Sequence, residues 1–182
     1  MPLRRALDEH DPHEAERALV LTLAFDEAAF EWFDDLRRRW FPPERNLVPA
    51  HLTLFHALPG AQFEAVVETL REACGATAPM ALEVAAPFSL GGGVAYAIRS
   101  EALTAFRAGL ATAFEPWLTK QDRAPFRPHV TVQNKATAEA ARELLLELQA
   151  DHQPFEVEGA GVRVWRYMGG PWRLAGALEF TR

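Results

Sequence analysis

Two seven-residue stretches of this chain, PAHLTLF at 49–55 and RPHVTVQ at 127–133, share one pattern: a proline just ahead of a histidine, then apolar, threonine, apolar. On a β-strand alternate side chains face opposite ways, so His51 and Thr53 share one face while Leu52 and Leu54 take the other. His129 and Thr131 divide from Val130 and Val132 in the same way. Each stretch also sits in the same context: a strand, a long helix and a proline-bearing loop precede it, and a helix and a strand follow. A duplicated order of this kind restricts the chain to a few architectures. It predicts an α+β fold of two similar lobes, each an antiparallel sheet covered on one face by helices. A central cleft between the open faces would then carry both His–Thr pairs.

The local signals fill in the elements. The apolar run ALVLTLAF at 18–25 reads as a buried strand, and Asp26 can cap a helix over 27–40 in which Phe30, Phe33, Leu36 and Arg37 recur at helical spacing. Pro42, Pro43 and Pro49 hold an extended loop before a strand at 51–55, which Pro59 and Gly60 end. Helices follow at 62–74, 101–118 and 137–149, the last with Thr137 as N-cap. Strands are predicted at 80–86, 94–99, 129–133, 155–166 and 172–180. SLGGG, which joins two of them, lacks the lysine of a phosphate-binding P-loop and reads as a mobile hairpin.

With 182 residues, 49% of them hydrophobic and 24% charged, the chain suits one domain with a sizeable core. Residues 1–17, highly charged, are expected to form a flexible leader without the apolar stretch of a signal peptide, and 18–182 a single bilobal domain. No segment is apolar for long enough to span a bilayer. The single cysteine, Cys74, fits a reducing, cytoplasmic setting, and a monomer is the expected state. A net charge of −6 argues against a long duplex nucleic acid as partner, because phosphate neutralisation supplies much of such affinity. It leaves room for a small nucleotide or an RNA end.

Two imidazoles and two hydroxyls in one cleft suit phosphodiester chemistry. An imidazole pKa of about 6.5 lets one histidine be neutral and the other cationic near neutrality. The neutral one takes a proton from the attacking water or hydroxyl, and the cation protonates the leaving oxygen. Thr53 and Thr131 can donate to the non-bridging phosphate oxygens. The sequence alone does not say which histidine is the base. No metal or cofactor is needed. A binding module without catalysis would have no use for two proton-transfer groups.

In its paired motifs His51-Leu52-Thr53-Leu54 and His129-Val130-Thr131-Val132 the chain resembles the 2H phosphoesterase superfamily, including its 2′-5′ RNA ligase and cyclic phosphodiesterase branch. The resemblance runs from about residue 18 to the C-terminus. It implies a bilobal α+β fold, His51 and His129 as catalytic residues, Thr53 and Thr131 as phosphate holders, and action on 2′,3′-cyclic phosphate or 2′-5′ linked ends. The chain departs from the family pattern by placing His56 within HLTLFHALPG and by carrying Gln133-Asn134-Lys135 where relatives place an arginine. Lys135 can supply that charge, as a point donor rather than a planar fork.

Other residues admit two readings. Arg127, next to Pro128-His129, either steers phosphate or pairs with an acid in its loop; Arg45 is expected to face solvent. Of Phe25, Phe55, Phe126 and Trp165, one is expected to stack a base at the cleft and the others to be core. His51 and His56, an odd number of positions apart, would face opposite ways on a continuing strand, and no cysteine or carboxylate cluster accompanies them, so zinc is not expected; His56 reads as a loop or edge residue, with a place at the cleft rim left open.

Overall fold

A computed structural model describes residues 11–182. Seven strands and four α-helices follow one another as β1 (Leu19–Phe25), α1 (Glu27–Trp40), β2 (Leu52–Leu58), α2 (Phe63–Gly75), β3 (Met80–Ser89), β4 (Val94–Arg99), α3 (Glu101–Ala113), β5 (His129–Gln133), α4 (Ala138–Ala150), β6 (Phe155–Tyr167) and β7 (Trp172–Glu179). The helix starts are set by side-chain caps. The Asp26 carboxylate accepts from Ala29 N–H at 2.9 Å, Ser100 from Leu103 N–H at 3.2 Å and Thr137 from Ala140 N–H at 3.2 Å. α3 stops at Ala113, short of the predicted 118, and Pro116 lies in the separate helical turn Glu115–Trp117 that follows.

All strand pairs are antiparallel, and they form one sheet in the order β2-β1-β6-β3-β4-β5, with β7 added beside β6. Where the duplication predicts a separate sheet in each lobe, the third strand of each repeat crosses over. β3 pairs with β4 of the second repeat, and β6 pairs with β1 of the first. β3 and β6 also pair with each other, through Met80–Val84 against Phe155–Gly159, which fuses the halves into a single seven-stranded sheet. The order reads alike from both ends: a His–Thr strand, the first strand of its repeat, then the third strand of the other repeat. The sheet curls, and its two end strands, β2 and β5, approach each other while α1 packs on β5.

The core lies between sheet and helices. Leu52, Leu54, Val130 and Val132, the apolar positions of the two motifs, are fully buried with Phe33, Phe55 and Phe114. Each is worth about 1.5–3 kcal/mol of burial. That cost of exposure fixes which face of β2 and β5 is left for the histidines.

Of the predicted leader, residues 1–10 lie outside the described residues. Residues 11–17 are docked rather than loose. Glu14 and Ala15 carbonyls accept from Arg166 at 3.2 and 3.1 Å, Arg173 pairs with Glu14 at 2.5 Å, and Arg17 pairs with Asp11 at 2.9 Å. Gly60 is required beneath this segment, since a Cβ there would lie 2.2 Å from the Arg17 carbonyl oxygen. Among the described residues no helix is long and apolar enough to cross a membrane.

Candidate active site

Each His–Thr strand is delivered by its proline loop, and each loop is held by a buried arginine. On α1, Arg37 donates from Nε to Asn46 Oδ1 at 2.8 Å and to the Val48 carbonyl at 3.1 Å. Its Nη1 reaches the Thr131 carbonyl of β5, 2.9 Å away. Arg107 on α3 does the same in mirror fashion, donating to the Asp122 carbonyl in its own loop at 2.6 Å and to the Leu54 carbonyl of β2 at 3.2 Å. Edge strands leave backbone carbonyls unpaired, and these two cations satisfy them while linking each repeat to the motif strand of the other. Arg37 is 4% exposed, and burial pulls its pKa down to about 10, so it stays charged near neutrality. Asp34 secures the same loop by accepting from Ala50 N–H at 2.8 Å. In the sequence Arg37 falls on the apolar stripe of its helix, and an arginine at a core position is the signal that a buried acceptor awaits it.

The two histidines are held alike. His51 Nδ1 lies 2.8 Å from the Pro49 carbonyl and His129 Nδ1 2.7 Å from the Arg127 carbonyl. A carbonyl only accepts, so in both rings Nδ1 carries the proton and Nε2 is presented. His51, Thr53, His129 and Thr131 all line one cleft of about 260 Å³, together with His56, Arg107, Asp122, Phe126 and Arg127. Both threonines are half-buried, and neither hydroxyl has a protein hydrogen-bond partner among the described residues. Among the described residues Asp122 is the one carboxylate of a lining that also holds two arginines, which makes the cleft locally cationic in an acidic protein.

The histidines differ in their surroundings. The Trp172 ring of β7 lies 4.6 Å from the His51 ring, centroid to centroid, and burial pushes the His51 pKa down to about 4. The hydrogen bond to Pro49 opposes that shift, and the positive charge of Arg37 adds to it. His51 is therefore neutral near pH 7, with a free lone pair on Nε2. Among the described residues the ring contact of His129 is with the edge of Phe88, at 6.0 Å.

Arg127 lines the cleft with an exposed side chain. Lys135 does not line it: the chain turns there with φ 60°, and the next residue, Ala136, donates to Gly92 of the β3–β4 connection at 3.0 Å. Among Phe25, Phe55, Phe126 and Trp165 only Phe126 lines the cleft. Phe55 and Phe25 are core, and Trp165 donates to Thr22 Oγ1 at 2.9 Å in a separate groove.

His56 overturns the parity argument. Along β2 the register against β1 slips by one residue between Thr53 and Phe55 and again before Leu58. Such bulges break strict alternation and re-aim side chains. They bring His56 to the cleft that also holds His51 and Thr53. There its Nδ1 lies 2.9 Å from Asp122 Oδ1, and the same carboxylate accepts from His56 N–H at 2.9 Å and Ala57 N–H at 3.2 Å. Burial pushes the Asp122 carboxyl up, but the bonds from the His56 ring and these amides outweigh it and hold its pKa below the usual value. Among the described residues no group of three or more histidines, cysteines or carboxylates is placed to hold a metal ion.

Comparison with known proteins fits this geometry. Residues 25–171 match the model of the 2′-5′ RNA ligase superfamily. Among solved structures the chain is similar to TT0787 of Thermus thermophilus, with a TM-score of 0.62 and 16% identity, covering 90% of this chain and 97% of that one. It is also similar to E. coli LigT complexed with 3′-AMP, with a TM-score of 0.58 and 17% identity over 92% of this chain and 99% of that one. LigT structures with NADP+ and with ATP are similar as well. At such identities the likeness concerns the fold, and no curated protein matches the sequence. The family match spans most of the chain, and on it the protein belongs to the 2′-5′ RNA ligase superfamily.

Proposed function

We propose that this protein is a metal-independent phosphodiesterase acting on 2′,3′-cyclic phosphate or 2′-5′ linked nucleotide and RNA ends. One observation carries the reading: two histidines in one cleft, each tied by Nδ1–H to the carbonyl two residues before it and each presenting Nε2, beside two threonine hydroxyls without partners among the described residues. That is a proton acceptor, a proton donor and two phosphate-oxygen donors in one place.

His51, neutral because of its burial, is the base. Its Nε2 takes a proton from water as the water oxygen bonds to phosphorus. His129, as imidazolium, gives its Nε2 proton to the ribose oxygen whose bond to phosphorus breaks. Thr53 and Thr131 donate to the non-bridging oxygens, and Arg127 adds positive charge at the cleft mouth. One P–O bond forms and one breaks, and the proton that His51 gains balances the one that His129 loses. Run backwards, the same steps join a ribose hydroxyl to a phosphate. The cleft, about 260 Å³, lies near the small end of ligand sites, a size for one nucleotide or the end of a strand. The 3′-AMP, ATP and NADP+ complexes of LigT support a nucleotide as the ligand class.

The test is turnover of nucleoside 2′,3′-cyclic phosphates and cyclic-phosphate-ended RNA oligomers in excess EDTA, with wild type beside His51→Ala and His129→Ala. Activity that survives EDTA and falls about 100-fold or more in each variant is expected. Full activity in both variants would overturn the mechanism, and loss of wild-type activity in EDTA would overturn its metal independence.

A further inference from the structure

His56 and Asp122 take no part in the proton transfers proposed for His51 and His129. A carboxylate whose side chain is 1% exposed lies under an imidazole that is 45% exposed, and the pair sits in the same cleft as the reacting histidines. The Asp122 carboxylate already caps two backbone amides that the bulge frees, and a cap of that kind needs no ring above it. The ring, in turn, spends Nδ1–H on the carboxylate and leaves Nε2 without a protein partner among the described residues. A buried carboxylate on one nitrogen fixes the ring and with it the direction of the other nitrogen. The strand itself is bent to achieve this, since only the register slip brings His56 onto the face of Thr53.

We infer that His56, oriented by Asp122, forms a second phosphate subsite, so that the substrate carries a phosphate beside the one that reacts. The inference rests on the proposed phosphodiester chemistry and names its substrate class: a nucleotide end bearing a neighbouring phosphate, rather than a bare nucleoside cyclic phosphate. Allowing for the bulge, His56 lies about one two-residue step, roughly 7 Å, beyond Thr53 along β2. That is a span suited to the next phosphate of a nucleotide chain. Among the described residues no acid other than Asp122 lines the cleft to repel such a group, and Arg127 adds its charge to the same lining.

The experiment compares KM for a nucleoside 2′,3′-cyclic phosphate with KM for the same compound bearing a 5′-phosphate, and for a dinucleotide ending in the cyclic phosphate. Wild type is expected to favour at least one phosphate-bearing form by about ten-fold or more, the scale of one charge-assisted hydrogen bond. A stronger preference for the dinucleotide assigns the subsite to the diester of an RNA end, and one for the monophosphate to a phosphorylated mononucleotide. In His56→Asn, which retains a donor for Asp122 but lacks the second ring nitrogen, the ratio should fall toward one, as it should in His56→Ala. A wild type indifferent to the extra phosphate, or a ratio preserved in His56→Asn, overturns the subsite and leaves the ring as a cover for Asp122. If none of the compounds turns over, the proposed reaction fails instead. The subsite is then decided by calorimetric titration of adenosine 2′-monophosphate against adenosine 2′,5′-bisphosphate. A ten-fold tighter bisphosphate in wild type that vanishes in His56→Asn supports it, and equal affinities refute it.

Discussion

Lowering the pH should weaken the fold through His51 before most carboxylates titrate. In the unfolded chain this ring has its ordinary pKa of 6.5, whereas in the folded protein burial holds it near 4. Below pH 6.5 the unfolded chain therefore takes up a proton that the native state refuses, and stability falls with pH until about 4, where both states are protonated. Above 6.5 the native state carries no such penalty. Integrating between pH 7 and pH 5 gives a loss of about 2 kcal/mol from this one residue. The assay is urea unfolding of wild type and His51→Gln at both pH values. The variant lacks the titrating group but shares every carboxylate, so the difference between the two proteins isolates His51. That difference should change by about 2 kcal/mol, roughly a 1 M displacement of the midpoint at a typical urea slope. The His51 ring proton followed by NMR should titrate well below pH 6. A ring that titrates near 6.5, or a stability difference equal at both pH values, would refute the claim that His51 sits desolvated and neutral.

Arg37→Met should destabilise the protein by about 3 kcal/mol or more in urea unfolding. It strands the Asn46 side chain and the Val48 and Thr131 carbonyls that the guanidinium satisfies, and a cost under 0.5 kcal/mol would contradict the clamp. Thr53→Val preserves shape and removes a hydroxyl with no partner among the described residues, so thermal melting should hardly move while kcat falls about 10- to 100-fold; unchanged kcat would remove Thr53 from the phosphate-holding role. Trp172→Ala uncovers the ring of His51, and NMR titration should find the His51 pKa raised toward 6.5; an unmoved value would locate the desolvation elsewhere.

The elements that depend on neighbours in sequence were legible. α1 begins after Asp26 and ends at Trp40 as its cap and apolar spacing predict, and β5 runs over the predicted residues. The histidines and threonines could be read because strand alternation is a local rule that the two motifs obey. What could not be read depends on partners far along the chain. Nothing near residue 155 says that β6 will leave its own repeat to pair with β1. The bulge in β2 is likewise a property of its register against β1, so strict alternation counted from His51 does not hold as far as His56. Lys135 looked like a substitute for a family arginine, yet a left-handed turn carries the chain toward the β3–β4 connection at that residue.

A duplicated scaffold raises a difficulty for the proposed mechanism. Acid–base catalysis by a histidine pair needs one neutral ring and one charged ring, whereas symmetric halves would give both rings the same pKa. The held geometry is indeed the same on both sides, with Nδ1–H on the carbonyl two residues back. The difference enters through β7, the one strand outside the duplicated order, which pairs with β6 and sets Trp172 against His51. On the other side the ring contact of His129 among the described residues is the edge of Phe88, itself 36% exposed. Adding a single strand to a repeated fold thus places an indole against His51, whose pKa burial lowers. In the mechanism proposed above, that added strand is what divides the roles of base and acid between two otherwise equivalent motifs.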